Sequence, residues 1–254
     1  MASAAETCTC HGNFGIEPTP VPDDVLERLK RVSTPTISLV LRRLGYRNAF
    51  LSGVAPRTPL QNFAGRAFTA RAVPTREDVA RTQAGASSLH RRAFETIRAG
   101  DVLVIDARGD TRARVTGDIL ATRLKRRGAA ALVTDGAIGD LAAMQTVGLP
   151  LYSRGVTPVS FGELHVMADL NVPISCAGVL IMPGDILVGD PEGVMAIPQA
   201  AAAEVAEAGL ETDRRDGFSR EKVEAGHPLA EAYPLNDALR AQYEAARARS
   251  PKEA

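Results

Sequence analysis

The chain has no excess of either charge: it carries 30 Lys+Arg and 30 Asp+Glu in 254 residues. Nucleic-acid binders usually show a basic surplus, so this balance argues against that class. Long apolar runs are missing as well. None approaches the roughly 18 residues of a membrane span, so no membrane partner is expected. The opening "MASAAETCTCHGNFG" has neither a basic n-region nor an apolar h-region, which argues against a secretory signal. Glu6 interrupts it and no arginine appears before Arg28, which argues against a transit peptide. A cytoplasmic location is the expectation. Cysteine is scarce too: three residues give no disulfide framework. Cys8, Cys10 and His11 form a C-x-C-H cluster, but without a second pair they make no tetrahedral zinc site. They read as part of a tail over residues 1–20. Cys176 lies among apolar residues and reads as a small core residue.

Hydrophobic residues make up 45% of the chain, enough for a sizeable core. No internal repeat is visible. A first helix should start near Asp23. In "STPTISLVLRRLGY", Ser33 or Thr34 can cap, Pro35 suits a first turn, and Ile37, Val40, Leu41 and Leu44 share one face. Residues 63–73 read as a strand and 87–100 as a helix. "DVLVIDA" (101–107) and "AAALVTDG" (129–136) are short apolar runs that read as buried strands. Helices are predicted over 117–128 and 139–148, and a third strand over 149–155. Alternation of strand and helix with short connections predicts a mostly parallel α/β sheet. From about residue 172, apolar runs separated by "PGD" and "GDPEG" read as strands joined by tight turns. Residues 199–216 read as a helix. The main domain is taken as 21–226, and 227–254 as an extension that could wrap a neighbouring subunit.

In such sheets, ligands collect at the carboxyl ends of the strands. Gly117-Asp118 opens one helix there and "DGAIGD" (135–140) precedes another. The first-turn amides of Ile119 and Leu120 suit a substrate carboxylate. Asp118 and Asp140, both early in helices at one sheet edge, suit a hard divalent cation with water completing the shell, although each could be only a cap. Asp135 reads as a strand-end turn carboxylate. His165 reads either as an exposed loop residue or as a base.

The string "GDILATRLKRRGAAALVTDGAIGDLAAMQTVGLPLYSRGVTPVS", followed by "VPISCAGVLIMPGDILVGDPEGVMAIP", resembles the family that contains 4-hydroxy-4-methyl-2-oxoglutarate aldolases and the regulator of ribonuclease activity A. The resemblance covers roughly residues 30–226. It implies an α/β/α sandwich with a swivelling-domain-like β-core, assembled as trimers or hexamers with sites between subunits. The aldolases carry an acidic residue, twenty intervening residues, then Arg-Asp. On this chain the resemblance makes Asp118 the acidic residue and Asp140 a ligand of Mg²⁺ or Mn²⁺, held largely through water. It makes Gly117, Ile119, Leu120 and position 139 the substrate-facing backbone. A carboxylate of a neighbouring subunit, Asp216 or Glu211, would complete the metal's water shell.

One departure matters. The family's arginine, which stabilises an enolate, is Gly139 here. Arg154, Arg108, Arg112 or Arg114 could reach that space from adjacent loops. Asp118, Arg154 and His165 are the catalytic candidates. The resemblance implies a metal-dependent lyase acting on a small 2-oxo acid through a metal-stabilised enolate, by aldol cleavage, decarboxylation or dehydration. The alternative is a non-catalytic regulator that binds a protein partner.

Overall fold

The computed structural model describes residues 19–59, 62–82 and 88–249. The Cys8, Cys10 and His11 cluster lies outside them. Two helices come first, α1 (Asp23–Leu29) and α2 (Thr34–Arg43), then strands β1 (Ala55–Pro56) and β2 (Phe63–Pro74). Helices α3 (Glu77–Thr82) and α4 (Leu89–Thr96) lead to β3 (Asp101–Asp106) and the short β4 (Arg114–Thr116). The central run is α5 (Asp118–Arg126), β5 (Ala131–Ile138), α6 (Leu141–Val147) and β6 (Leu151–Val156). Next come α7 (Phe161–Leu164), β7 (His165–Leu170), β8 (Ile174–Cys176), β9 (Val179–Ile181), β10 (Ile186–Asp190) and β11 (Gly193–Ile197). The long helix α8 (Ala202–Glu224), then α9 (Leu229–Ala232) and α10 (Asp237–Arg249), complete the described chain.

The main sheet runs β1-β6-β5-β3-β2-β10-β11, with β4 added beside β5 and β7 beside β2. Strands β2, β3, β5 and β6 are mutually parallel. The later strands β7, β10 and β11 join antiparallel. Side-chain alternation sorts the core into three layers. Val102, Val104, Val133, Leu187 and Val194 point to the inside of a nearly closed, barrel-like sheet, which also holds Ile174 and Cys176. The intervening Leu103, Ile105 and Leu132 face the other way, onto Phe94, Leu124 and Met144 of α4, α5 and α6. Ile186, Val188, Met195 and Ile197 face outward onto α1, α2 and α8. Helices therefore cover a β-core on two sides, the α/β/α arrangement that the family resemblance implies.

Two local expectations need correction. Helix α2 is not capped by its own Ser33 side chain. Asp213 of α8 accepts from Ser33 N–H at 2.9 Å, and Asp190 at the end of β10 accepts from Thr34 N–H at 2.8 Å. Two orphan amides at the helix start are thus met by tertiary carboxylates, which also tie three elements together. Asp135 is not in a strand-end turn either. β5 continues through it to Ile138, and its buried carboxylate accepts from the amides of Ala107, Gly109 and Ala177 at 2.8, 2.9 and 3.1 Å. After α8, the described residues of α9 and α10 pack against it. Leu235, Leu239 and Tyr243 form a small core with Phe218 of α8.

Candidate functional site

The site grows from the pairing of β4 with the end of β5. Arg114 stands opposite Ala137 and Thr116 opposite Ile138. Gly139 N–H then donates to Thr116 carbonyl at 2.9 Å. This seam sets the start of α5 beside the start of α6. Gly117 is the N-cap of α5, in extended conformation. Asp140 precedes α6 in the left-handed region, at φ 53°, and its side chain does not cap that helix. Its Oδ1 instead accepts from Arg114 Nη1 at 2.9 Å. Its Oδ2 lies so close to Gly117 that a Cβ there would be 2.4 Å away.

A cleft of about 350 Å³ opens over this seam. Its lining includes Arg114, Gly117, Asp118, Ile119, Leu120 and Asp140 on one side, and His90, Ser160 and Phe161 on the other. Asp118 Oδ1 accepts from Ile119 N–H at 2.8 Å, so that amide is engaged by its neighbour's side chain. The Ile119 side chain is 80% exposed, unusual for its type. His90 stacks on Phe161 with ring centroids 4.0 Å apart and planes 6° from parallel. Its Nε2 lies 2.8 Å from Val115 carbonyl, and a carbonyl only accepts, so Nε2 carries the proton and Nδ1 keeps its lone pair. Burial lowers the His90 pKa, so the neutral ring prevails near pH 7.

Other candidates lie elsewhere. Arg154 lines no part of the cleft; its Nη2 donates to Ser52 carbonyl at 3.0 Å and its guanidinium fills the space beside Gly53 and Gly109. Arg112 pairs with Asp110 at 2.7 Å and holds that carboxyl far below the usual carboxylate range. His165 is neither exposed nor in a loop: it is the first residue of β7 and is 1% exposed. Its Nε2 faces Ala113 carbonyl at 3.3 Å and its Nδ1 faces Arg108 Nη2 at 3.2 Å. Both nitrogens are engaged, and burial lowers its pKa. Asp216 lies on α8 beside a separate cleft of about 450 Å³, with Glu211 and Tyr243.

The donor set bears on a metal. Among the described residues, no three His, Cys, Asp or Glu side chains gather as ligands. Asp118 and Asp140 are the cleft's two carboxylates. Two carboxylates with water suit Mg²⁺, which dehydrates reluctantly and takes few protein ligands.

The Aldolase/RraA family model matches residues 28–196. The chain belongs to the RraA-like family. RraAS2 of Streptomyces coelicolor, described as an unusual member of the RNase ES inhibitor RraA protein family, is 31% identical. That match covers 80% of this chain and 100% of the other, with a TM-score of 0.74. An uncharacterised protein of Pseudomonas syringae pv. tomato is 26% identical over 85% of this chain and 99% of its own, also at 0.74. A Halalkalibacterium halodurans protein provisionally named 4-hydroxy-4-methyl-2-oxoglutarate aldolase is 37% identical over 52% of this chain; the match spans 61% of that relative's length. RraA-like relatives thus include proteins named for lyase chemistry and proteins named for RNase inhibition. Within this RraA-like chain, His90 and Phe161 are among the cleft residues that sequence reasoning missed. They sit on two short helices whose approach to β4 has no local sequence mark.

Proposed function

We propose that the protein is a divalent-metal-dependent lyase acting on a small 2-oxo acid. The observation that carries this reading is the meeting, in one cleft, of two carboxylates, a helix first turn and a guanidinium. Mg²⁺ or Mn²⁺ held by Asp140 and Asp118, mainly through water, would supply Lewis-acid polarisation of the substrate's oxygens. The chain's own residues do the rest. The first-turn amides of α5 orient the substrate carboxylate, as helix N-termini do for anions. Asp118 must release Ile119 N–H for this, which couples substrate entry to the freeing of its carboxylate. Neutral His90, with its Nδ1 lone pair, moves protons at the cleft wall, a role for which His165 has no nitrogen to spare.

The site is completed between subunits of a trimer or hexamer. Glu211 is already held by Tyr243 at 3.0 Å and Arg247 at 3.3 Å. Asp216 is therefore the carboxylate this reading takes from a neighbouring subunit. A cytoplasmic setting fits the reading, and no described helix is long and apolar enough to cross a membrane.

The test is turnover of a panel of 2-oxo acids, oxaloacetate included, with Mg²⁺ or Mn²⁺ and with EDTA. Metal-dependent pyruvate release or substrate loss is expected. Silence across the panel would sink the lyase reading. The regulator alternative has one observation in its favour, the similarity to RraAS2 over most of both chains. It predicts inhibition of an RNase E-type enzyme that survives Asp140→Ala.

A further inference from the structure

The cleft carries one arginine, and two glycines make room for it and for its partner Asp140. Gly139 is not among the chain's positive-φ glycines, so its backbone does not demand glycine. Gly117, at φ −129° and ψ −178°, does not demand it either. Space does. A Cβ at position 139 would lie 2.2 Å from Arg114 Cδ and 2.7 Å from Arg114 Nη1. A Cβ at position 117 would lie 2.4 Å from the Asp140 Oδ2 that the same pair positions. No ordinary side-chain contact is that short. The strand pairing of β4 with β5 and the bond from Arg114 N–H to Val159 carbonyl, 2.9 Å, fix the base of this side chain over Gly139. Its guanidinium spends one donor on Asp140. A guanidinium has five.

An anionic 2-oxo acid entering this cleft meets Asp118 and Asp140, which repel it, and Arg114, the one guanidinium in the lining. We propose that Arg114, seated over Gly139, is the catalytic cation: it donates hydrogen bonds to the substrate's C2 oxygen as that oxygen becomes negative. The C3–C4 bond breaks and its electron pair moves onto C2–C3 and the C2 oxygen; C4 leaves as CO2 from a 4-carboxylate, or as a carbonyl compound from a 4-hydroxy acid whose hydroxyl proton passes to water. Arg114 keeps its protons. The pair returns to C3 when C3 takes a proton from water. This inference rests on the lyase reading and names its charge-stabilising residue.

The test compares the wild type with R114A, R114Q, G139R and the relocation variant R114A/G139R. Turnover is measured with Mn²⁺, and oxalate (a stable mimic of the 2-oxo acid enolate) and Mn²⁺ are each titrated calorimetrically. R114A and R114Q should lose about 100-fold in kcat/KM, the usual loss for one donor to a developing oxyanion. Oxalate affinity should fall with them while Mn²⁺ affinity holds. R114Q keeps much of the side chain's bulk, so it remains informative where R114A fails to fold. G139R alone should lose activity, because its side chain needs the volume Arg114 fills. R114A/G139R should regain at least part of the loss, because it returns a guanidinium to the vacated space. Arginine-114 variants with wild-type turnover and oxalate affinity overturn the inference. So does an equal loss of Mn²⁺ and oxalate affinity, which would make Arg114 only the positioner of Asp140. A relocation variant no better than R114A overturns the equivalence of the two positions. A wild type that turns over nothing sinks the lyase reading separately, and the oxalate titration still decides whether Arg114 binds the anion.

Discussion

Asp135 and Asp140 lie five residues apart in "DGAIGD" and should respond to mutation in opposite ways. Asp135 is 2% exposed and takes three backbone amides, from Ala107 and Gly109 after β3 and from Ala177 after β8. Removing it by Asp135→Ala strands those donors. A hydrogen bond to a charged group is worth roughly 1.5–3 kcal/mol, and an orphaned buried donor costs about 1–3 kcal/mol. Ala107 is fully buried, while Gly109 and Ala177 are partly reached by water. Counting the first in full and the others at a fraction predicts a loss of about 3–6 kcal/mol. Asp135→Asn keeps one acceptor oxygen but turns an amide donor toward other donors, so it should lose about 2 kcal/mol.

Asp140→Ala is the contrast. Its pair with Arg114 is 36% exposed on the Asp side, and exposed pairs contribute about 0–1 kcal/mol. Its cost should appear as lost metal-dependent turnover, with the fold and assembly intact. Urea unfolding at matched protomer concentration separates the two, followed by far-UV circular dichroism because the chain has no tryptophan. A loss below 1 kcal/mol for Asp135→Ala would refute its role as organiser of the three amides. A loss for Asp140→Ala as large as that for Asp135→Ala would refute the division of labour.

Two further predictions concern pH. Burial raises the Asp185 carboxyl to about 6, although it accepts from Met182 N–H at 2.8 Å. The folded state holds that proton more tightly than the unfolded chain, so wild-type stability falls as pH rises from about 4 to about 6 and then levels. Asp185→Asn, which keeps the acceptor, should therefore stabilise at pH 7.5 by up to about 3 kcal/mol and gain nothing at pH 4. An equal gain at both pH values would refute the argument. His90 has a lowered pKa, so its neutral form is favoured and stability tied to it falls as pH drops below about 6.5. His90→Gln should lower kcat more than tenfold and remove the acid limb of the kcat profile; an unchanged profile would exclude His90 as a proton carrier.

Much of the architecture was legible because it is written in local pattern. "DVLVIDA" and "AAALV" are continuous apolar runs, and such runs belong to strands covered on both faces. Pro35 marked the first turn of α2. What was hidden depended on distant partners. Asp135 and Gly136 are poor strand formers, yet β5 continues through them because amides from two other loops bond the Asp135 carboxylate. The three residues of β4 are too few to show a period. His165 gave no sign of burial, since its partners Arg108 and Ala113 come from a loop more than fifty positions earlier. Leu239 and Tyr243 of α10 are sparse among polar residues, so the helix left little amphipathic signal. Asp118 and Asp140 were legible as residues, but Arg114 was legible only as one of four arginines that could join them.

The meeting with Arg114 is the instructive one. Gly139 and Arg114 are 25 positions apart in sequence, yet the pairing of β4 with the end of β5 brings the Arg114 side chain over Gly139. A charge that must stand beside a reacting atom is constrained in space, not in sequence. A neighbouring strand can supply it, provided the nearer position gives up its side chain. Glycine at ordinary φ is the trace of such a concession, because nothing in its own backbone requires it. Gly139 and Gly117 both carry that trace, and both give way to the same ion pair. Read by its own position alone, Gly139 looks like the loss of a catalytic group. With Arg114 lying over it, the same glycine leaves the room in which a guanidinium stands in the cleft.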